Sequence, residues 1–191
     1  MKKNLLILVL LSGIVTSCDL FTTRSPEEPA GTSSGVVSAY DPETLFENMQ
    51  SALKDGIVEN YMACFVDNSY LNMDYVFTPA SGTIINYPSL SEWSLEKEES
   101  YFKTLVSKLK SGTDISFSYS ITQKDYNQTY YEYTISYTIS FQSSSITGDY
   151  QGTSIFKIYK DSQNKCVIVE WQDIKKDDYD CWSDLKGRVY Y

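Results

Sequence analysis

The spacing of hydrophobic positions changes along this chain from the period of a helix to the period of a strand. Between residues 41 and 112, apolar side chains recur every three or four positions, which predicts amphipathic helices. Between residues 114 and 174, apolar and polar side chains alternate, which predicts strands with one buried face. Helices followed by consecutive strands predict an α+β fold, with three N-terminal helices packed on a curved, mainly antiparallel sheet.

Capping signals bound the three predicted helices. Asp41 can accept the free amide protons at the start of the first helix and Ser94 those of the third, while Gly56 and Gly112 follow their last turns. The second helix ends at the turn residues 67–69. The predicted helices therefore span residues 42–56, 58–65 and 94–112.

Five strands are predicted, one between the second and third helices and four in succession after the third. Alternation puts aromatic and aliphatic residues on one face and Ser and Thr on the other, as in an antiparallel sheet covered on one side. The hydroxyl-rich face is either solvated sheet or a docking face for a second copy of the chain. The predicted strands span residues 70–77, 114–122, 131–141, 150–159 and 166–174, with an irregular loop at 80–91.

The end of the chain predicts one further short turn of helix, at residues 181–187. Trp182 and Leu185 lie three positions apart in it, so both can face the core. We expect this turn to cap the open end of the core.

The first 18 residues have the layout of an export signal. Lys2 and Lys3 precede an apolar run at residues 5–15, which is about half the length needed to span a membrane. The sequence Val-Thr-Ser-Cys at residues 15–18 resembles the lipobox of bacterial lipoproteins. This resemblance implies that residues 1–17 are removed and that Cys18 is acylated. The alternative is an ordinary signal peptide or buried amphipathic segment with an incidental Cys18.

Residues 18–39 are rich in Pro, Gly, Ser and Thr and have few periodic apolar positions. Such a composition predicts a disordered tether. The remaining residues, 40–191, suit a single domain, because a chain of this length can bury a sufficient core without metals or many disulfides.

The charge balance limits the partners. The chain has 16 Lys and Arg against 25 Asp and Glu; without residues 1–17, 14 basic residues face 25 acidic ones and the formal charge is −11. This sign argues against nucleic-acid binding and against electrostatic binding to anionic lipid. Membrane attachment is therefore expected through acyl chains on Cys18, which anchor firmly when two or three are present. We expect the outer membrane or surface of a bacterial cell rather than the inner membrane.

The cysteines and the clustered aspartates are the residues that could form disulfides or bind metal ions. Any two of Cys64, Cys166 and Cys181 could pair in an exported chain, or all three pack as small buried residues. The chain has no histidine, and its cysteine spacing matches no zinc signature. The aspartates at 177–180 lack the glycine and distal glutamate of a calcium loop. The sequence thus indicates no metal and no cofactor.

The stretch 53–67, Leu-Lys-Asp-Gly-Ile-Val-Glu-Asn-Tyr-Met-Ala-Cys-Phe-Val-Asp, supports a family resemblance. It is similar to the opening helix, Gly/Asp break, second helix and terminal acidic residue of the nuclear transport factor 2-like (NTF2-like), or ketosteroid-isomerase-like, superfamily of cystatin-like domains. The element order over residues 40–174 resembles that superfamily too. The resemblance implies a cone-shaped α+β roll around a cavity. Some members use the cavity for isomerisation or dehydration, and many serve only in binding or assembly.

An isomerase-like cavity would need a carboxylate base and a hydroxyl donor for the developing oxyanion. Asp67 or Asp74 could be the base, and Tyr61, Tyr75 or Tyr119 the donor. Seventeen tyrosines guarantee that some lie near an aspartate, and none of these residues matches the catalytic positions of the superfamily. No catalytic residue is therefore assigned.

Aromatic residues are the candidates for lining a cavity. Trp93 and Trp171 could stack on a flat apolar ligand, or they could simply fill the cone. The sequence favours a lipid-anchored, non-catalytic binding or assembly module whose partner is a small apolar ligand or an envelope protein. An isomerase- or dehydratase-like enzyme is the alternative. The predicted pocket-lining residues are Tyr61, Tyr75, Trp93, Tyr119 and Trp171.

Overall fold

The computed structural model describes residues 37–146 and 148–190. The predicted signal peptide, Cys18 and the tether up to residue 36 lie outside these residues. Residues 37–39, which the sequence assigns to the tether, contact the domain. Asn48 Nδ2 donates to the carbonyl of Val37 at 2.6 Å, and the Cys166 N–H donates to the carbonyl of Ala39 at 2.7 Å. The contacts of the domain therefore begin before residue 40.

The three predicted helices start within one residue of the predicted positions, but the second ends at Met62 instead of residue 65 and the third at Ser107 instead of near Gly112. The N–H groups that follow each of these two ends bond to carbonyls three residues back, as in a turn. The Asp41 side chain accepts from the Thr44 N–H at 2.8 Å, and Gly56 ends the first helix with φ 65°, a conformation that favours glycine. The helices are α1 (Pro42–Asp55), α2 (Val58–Met62), α3 (Thr83–Asn86), α4 (Leu95–Ser107) and α5 (Trp182–Tyr190), and a 3-10 turn spans Pro88–Glu92.

One five-stranded sheet forms the second layer of the domain. Its strands are β1 (Val76–Thr78), β2 (Ser116–Asn127), β3 (Tyr130–Ser140), β4 (Tyr150–Lys160) and β5 (Cys166–Lys175). The strand order is β1-β5-β4-β3-β2; β1 runs parallel to β5 and all other neighbours are antiparallel. The predicted α+β fold with a mainly antiparallel sheet is confirmed.

The segment between α2 and α4 differs from the prediction. The strand expected at residues 70–77 is reduced to the three residues of β1, because the Asp67 carbonyl accepts the N–H groups of Tyr70 and Leu71 at 2.9 Å and closes a turn there. The loop expected at 80–91 contains α3 and the 3-10 turn.

The core lies between the inner face of the sheet and the helices. Phe46 of α1 sits over this face, with its ring centroid 5.4 to 5.7 Å from those of Tyr119, Tyr133 and Phe156. Contacts at these distances add aromatic pairing to the burial of apolar area. Of the residues that alternate along β3, Tyr131 is half-buried and the next four are buried, as the sequence pattern predicts: Tyr133, Ile135, Tyr137 and Ile139.

Helix α5 lies inside the domain. Residues 182–187 and Val189 are all buried, and the ring of Tyr87 packs so closely on Gly187 that a Cβ there would be 2.2 Å from Tyr87 Cγ. The predicted cap is therefore a nine-residue helix that fills space between the sheet, α4 and the segment 83–92. None of the described helices is both long and apolar enough to cross a membrane.

Candidate functional site

The interior of the domain contains a carboxylate, Glu98 of α4, whose exposed fraction is 0%. Glu98 Oε1 accepts from the Tyr61 hydroxyl at 2.8 Å. Glu98 Oε2 accepts from the Tyr75 hydroxyl at 3.0 Å and from Trp93 Nε1 at 2.7 Å. Lys186 Nζ of α5 also donates to Oε2 and completes a fully buried ion pair. We call these five residues the Glu98 centre. Four donors thus surround this carboxylate, three of them on Oε2 and one on Oε1.

Aromatic rings surround the ammonium group of Lys186. Nζ lies 3.8 Å from the ring centroids of both Phe77 and Trp171, 5.4 Å from that of Trp93 and 5.7 Å from that of Tyr101. The electron-rich faces of aromatic rings attract cations, most strongly where water is excluded. The rings therefore compensate part of the cost of burying this charge.

Burial changes the proton affinities of the centre. It lowers the pKa of Lys186 to about 8, because the loss of hydration outweighs the attraction of Glu98. Burial, reinforced by the negative charge of Glu98, raises the pKa of Tyr61 and of Tyr75 well above the usual value. At neutral pH both tyrosines are therefore protonated and donate hydrogen bonds to Glu98.

A second buried carboxylate, Asp173 of β5, holds the start of α5. Its Oδ2 accepts from the Ser183 N–H at 2.7 Å and from Ser183 Oγ at 2.6 Å, and its Oδ1 accepts from the Tyr137 hydroxyl at 2.7 Å. That hydroxyl in turn accepts the Trp182 N–H at 2.7 Å. Free amide groups at a helix start favour such acceptors. Asp173 and Glu98 thus bind α5 at its first turn and at its middle.

Four of the five predicted pocket-lining residues come together in this interior, around Glu98 and Lys186. The fifth, Tyr119, lies apart: its ring is half-buried and stacks on Phe117 with centroids 5.5 Å apart. The four that come together are Tyr61, Tyr75, Trp93 and Trp171.

The aspartates considered as bases do not reach the Glu98 centre. Asp67 and Asp74 are exposed and border a surface cavity of about 820 Å³, which the ring of Tyr75 also lines. A smaller surface cavity of about 290 Å³ adjoins it. Trp93 and Trp171 line neither of these two cavities.

Sequence reasoning missed Glu98 and Lys186, although a signal for Glu98 was present. Glu98 lies beside Glu96 and Glu99 in the first turns of α4, where the helix dipole favours acidic residues. It also precedes Tyr101, Phe102 and Leu105 by three, four and seven positions, which places it on the buried stripe. Lys186 follows Trp182 by four positions in the same way. A charged residue in register with an apolar stripe indicates a buried ion pair.

The three cysteines in the described part of the chain are free thiols and all are buried. Burial raises the pKa of Cys64 to about 12 and that of Cys166 to about 11, and it also raises that of Cys181. Residues 37–146 and 148–190 hold no group of three side chains suited to bind a metal ion.

Comparison with solved structures identifies the fold. The chain is similar to an NTF2-like protein of unknown function from Shewanella oneidensis (11% identity, 70% of this chain and 96% of that one, TM-score 0.50). It is also similar to a proposed scytalone dehydratase from Novosphingobium aromaticivorans (12% identity, 69% of this chain and 79% of that one, TM-score 0.53). A third similar structure is a proposed dehydratase of the NTF2-like family from Streptomyces avermitilis (5% identity, 71% of this chain and 93% of that one, TM-score 0.53). The domain therefore has the NTF2-like cone fold. The sequence matches no protein-family model and no curated relative.

Proposed function

We propose that this chain is a lipid-anchored protein of the bacterial cell envelope, and that its domain binds or assembles with another molecule without catalysing a reaction. One observation carries the second part: Lys186 and the aromatic rings around it fill the interior where a cone of this kind would hold a substrate. Binding is then expected on the outside of the domain.

The isomerase- or dehydratase-like alternative needs a free base, a hydroxyl donor and room for a substrate. Glu98 lies within hydrogen-bond distance of two tyrosine hydroxyls, but it is already paired with the ammonium of Lys186, and the side chains of both have an exposed fraction of 0%. Asp67 and Asp74 are exposed to solvent and are not among the hydrogen-bond partners of the Glu98 centre. The geometry therefore favours a non-catalytic domain.

Exchange of the indole N–H protons tests whether the interior is closed. Trp93 Nε1 donates to Glu98, Trp182 Nε1 to Tyr101 at 3.0 Å and Trp171 Nε1 to Ser154 at 3.0 Å. We expect all three indole protons to exchange only through global unfolding, as measured by NMR in deuterated water, because no smaller opening frees them. The exposed amides of residues 176–178 serve as the fast control. If the indole protons of Trp93 and Trp182 exchange as fast as these amides, the interior is open to solvent and the isomerase- or dehydratase-like alternative is favoured.

The anchor is proposed from the sequence of residues 1–18, where a basic start and an apolar run lead to Cys18. With a strongly acidic chain, acyl groups are the means of attachment that the charge allows. The outer membrane or the cell surface is the proposed location, and an envelope protein or a second copy docked through the hydroxyl-rich face is a proposed partner.

Metabolic labelling of a bacterial host with an alkyne fatty acid tests the anchor. The full chain should be labelled, should fractionate with membranes and should have a mature mass that begins at Cys18. Cys18→Ser should abolish the label, whereas Cys64→Ser should retain it because that thiol is buried. An unlabelled wild-type chain, or one that keeps Met1, would show that the anchor is wrong.

A further inference from the structure

The two surface cavities adjoin along the side of the domain, and we call the two together the side groove. They share three lining residues, Met62, Leu95 and Glu96. The larger cavity extends towards β5 and the smaller one lies between α2 and α4. The larger cavity, at about 820 Å³, has the size of ordinary ligand sites.

The floor of the side groove is apolar. Phe65, Val66 and Tyr75 supply buried side chains to the larger cavity, and Val58 supplies a half-buried one to the smaller cavity. Met62 contributes to both. Each cavity can therefore receive an apolar side chain of a partner and remove it from water.

The rim of the side groove is acidic. Six carboxylates line the two cavities against a single cation, Lys165. Glu99 is paired with Lys103, and Asp161 Oδ1 accepts the N–H groups of its own loop. The other four carboxylates are exposed and form no ion pair within the described residues: Glu59, Asp67, Asp74 and Glu96. Of these, Asp67 also accepts the Ser69 N–H at 2.8 Å.

We propose that the side groove binds an extended segment of a partner protein in which apolar residues alternate with Lys or Arg. The proposal rests on the proposed function and names the chemistry of the partner. Two adjoining apolar cavities match two side chains of one extended strand, which point the same way at alternate positions. The Lys or Arg side chains of such a strand point away from the floor, so the four exposed carboxylates attract the segment through the negative potential of the rim, and this potential repels anionic lipid and nucleic acid.

A labelled probe peptide, Lys-Phe-Lys-Leu-Lys-Phe-Lys, tests this with the full chain carrying Cys18→Ser. By fluorescence anisotropy we expect it to bind about tenfold or more tightly than the peptide with Ser for Phe and Leu, and the peptide with Glu for Lys should not bind. Affinity should fall as salt is raised. Equal binding of the Lys-Ser peptide would overturn the apolar half of the proposal.

Matched charge variants locate the binding. Asp67→Asn combined with Asp74→Asn and Glu96→Gln should weaken binding of the probe about tenfold, because it removes three rim charges. The control combines Asp114→Asn with Asp177→Asn and Asp178→Asn, which removes three exposed charges outside the groove and should leave affinity unchanged. Equal losses in the two variants would mean attraction to net charge alone and would overturn the proposal.

Photo-crosslinking distinguishes the occupants. A benzophenone in place of one Phe of the probe should crosslink to Met62 or Leu95, and crosslinks to the outward Thr134 or Thr138 of β3 would overturn the site. Tighter binding of a peptide of residues 19–36 would instead assign the groove to the chain's own tether. If the probe peptide does not bind the side groove but Cys18 carries the fatty-acid label, the proposed peptide site is wrong and the proposed anchor stays in place.

Discussion

Replacing Glu98 by alanine is expected to destabilise the domain by about 4 kcal/mol or more, a large part of the stability of a typical domain. The change leaves the ammonium of Lys186 buried without its counter-charge and removes the acceptor of Tyr61, Tyr75 and Trp93. Each buried donor that is left without an acceptor destabilises the folded state, because it has lost the hydrogen bond that it forms with water in the unfolded chain. Urea unfolding at neutral pH measures the loss.

A double-mutant cycle isolates the ion pair from this total. Glu98→Gln keeps an acceptor for the neutral donors, and Lys186→Met keeps the volume of the side chain but loses its charge. Each single change should cost about 2–4 kcal/mol, and the double variant clearly less than their sum, because neither buried charge is then left alone. Glu99→Gln, at the exposed pair with Lys103, is the matched control and should cost within about 0.5 kcal/mol. Additive losses would show that Glu98 and Lys186 do not stabilise each other.

The second large effect is expected at alkaline pH, where the stability should fall steeply above about pH 9. Burial raises the pKa of Cys64 to about 12, that of Cys166 to about 11 and that of Cys181 as well. Between about pH 9 and 11 the unfolded chain has released these thiol protons while the folded chain keeps them. Each thiol therefore lowers the free energy of unfolding by about 1.4 kcal/mol per pH unit.

Lys186 acts in the opposite direction over part of this range. Its pKa in the folded state is lowered to about 8, so from there to about pH 10.5 the unfolded chain holds the extra proton and stability rises with pH. Because three thiols oppose one lysine, the free energy of unfolding falls by a net amount of about 3 kcal/mol per pH unit. Above about pH 10 the buried tyrosines, whose pKa values are raised, add to the loss.

Denaturant unfolding from about pH 8.5 to about pH 10 checks both the sign and the groups responsible. Changing Cys64, Cys166 and Cys181 together to alanine should turn the slope flat or slightly positive, because Lys186 then dominates. Lys186→Met should make the wild-type slope steeper. Unchanged slopes in both variants would contradict the assignment of the alkaline transition to these groups.

The local sequence determined the elements of this fold, since periodicity and capping act over one or two turns. Residues 131–141 are predicted as a strand, and β3 spans Tyr130–Ser140. Helix α1 begins after Asp41, whose side chain caps it, and ends before Gly56, whose positive φ favours glycine. The candidate site was found in part, because large aromatic residues such as Trp93 and Trp171 are buried in almost any fold of this class.

Only the tertiary structure decided what fills the cone. Glu98 and Lys186 are 88 positions apart, and although each lies in register with the apolar stripe of its own helix, neither stripe identifies the other charge as its partner. Their pairing depends on α5 entering the domain beside α4, which no local pattern specifies. The position of β1 likewise depends on its parallel pairing with β5, far along the chain. Sequence spacing thus determined which segments are helices and strands, and long-range packing decided that an internal ion pair occupies the interior.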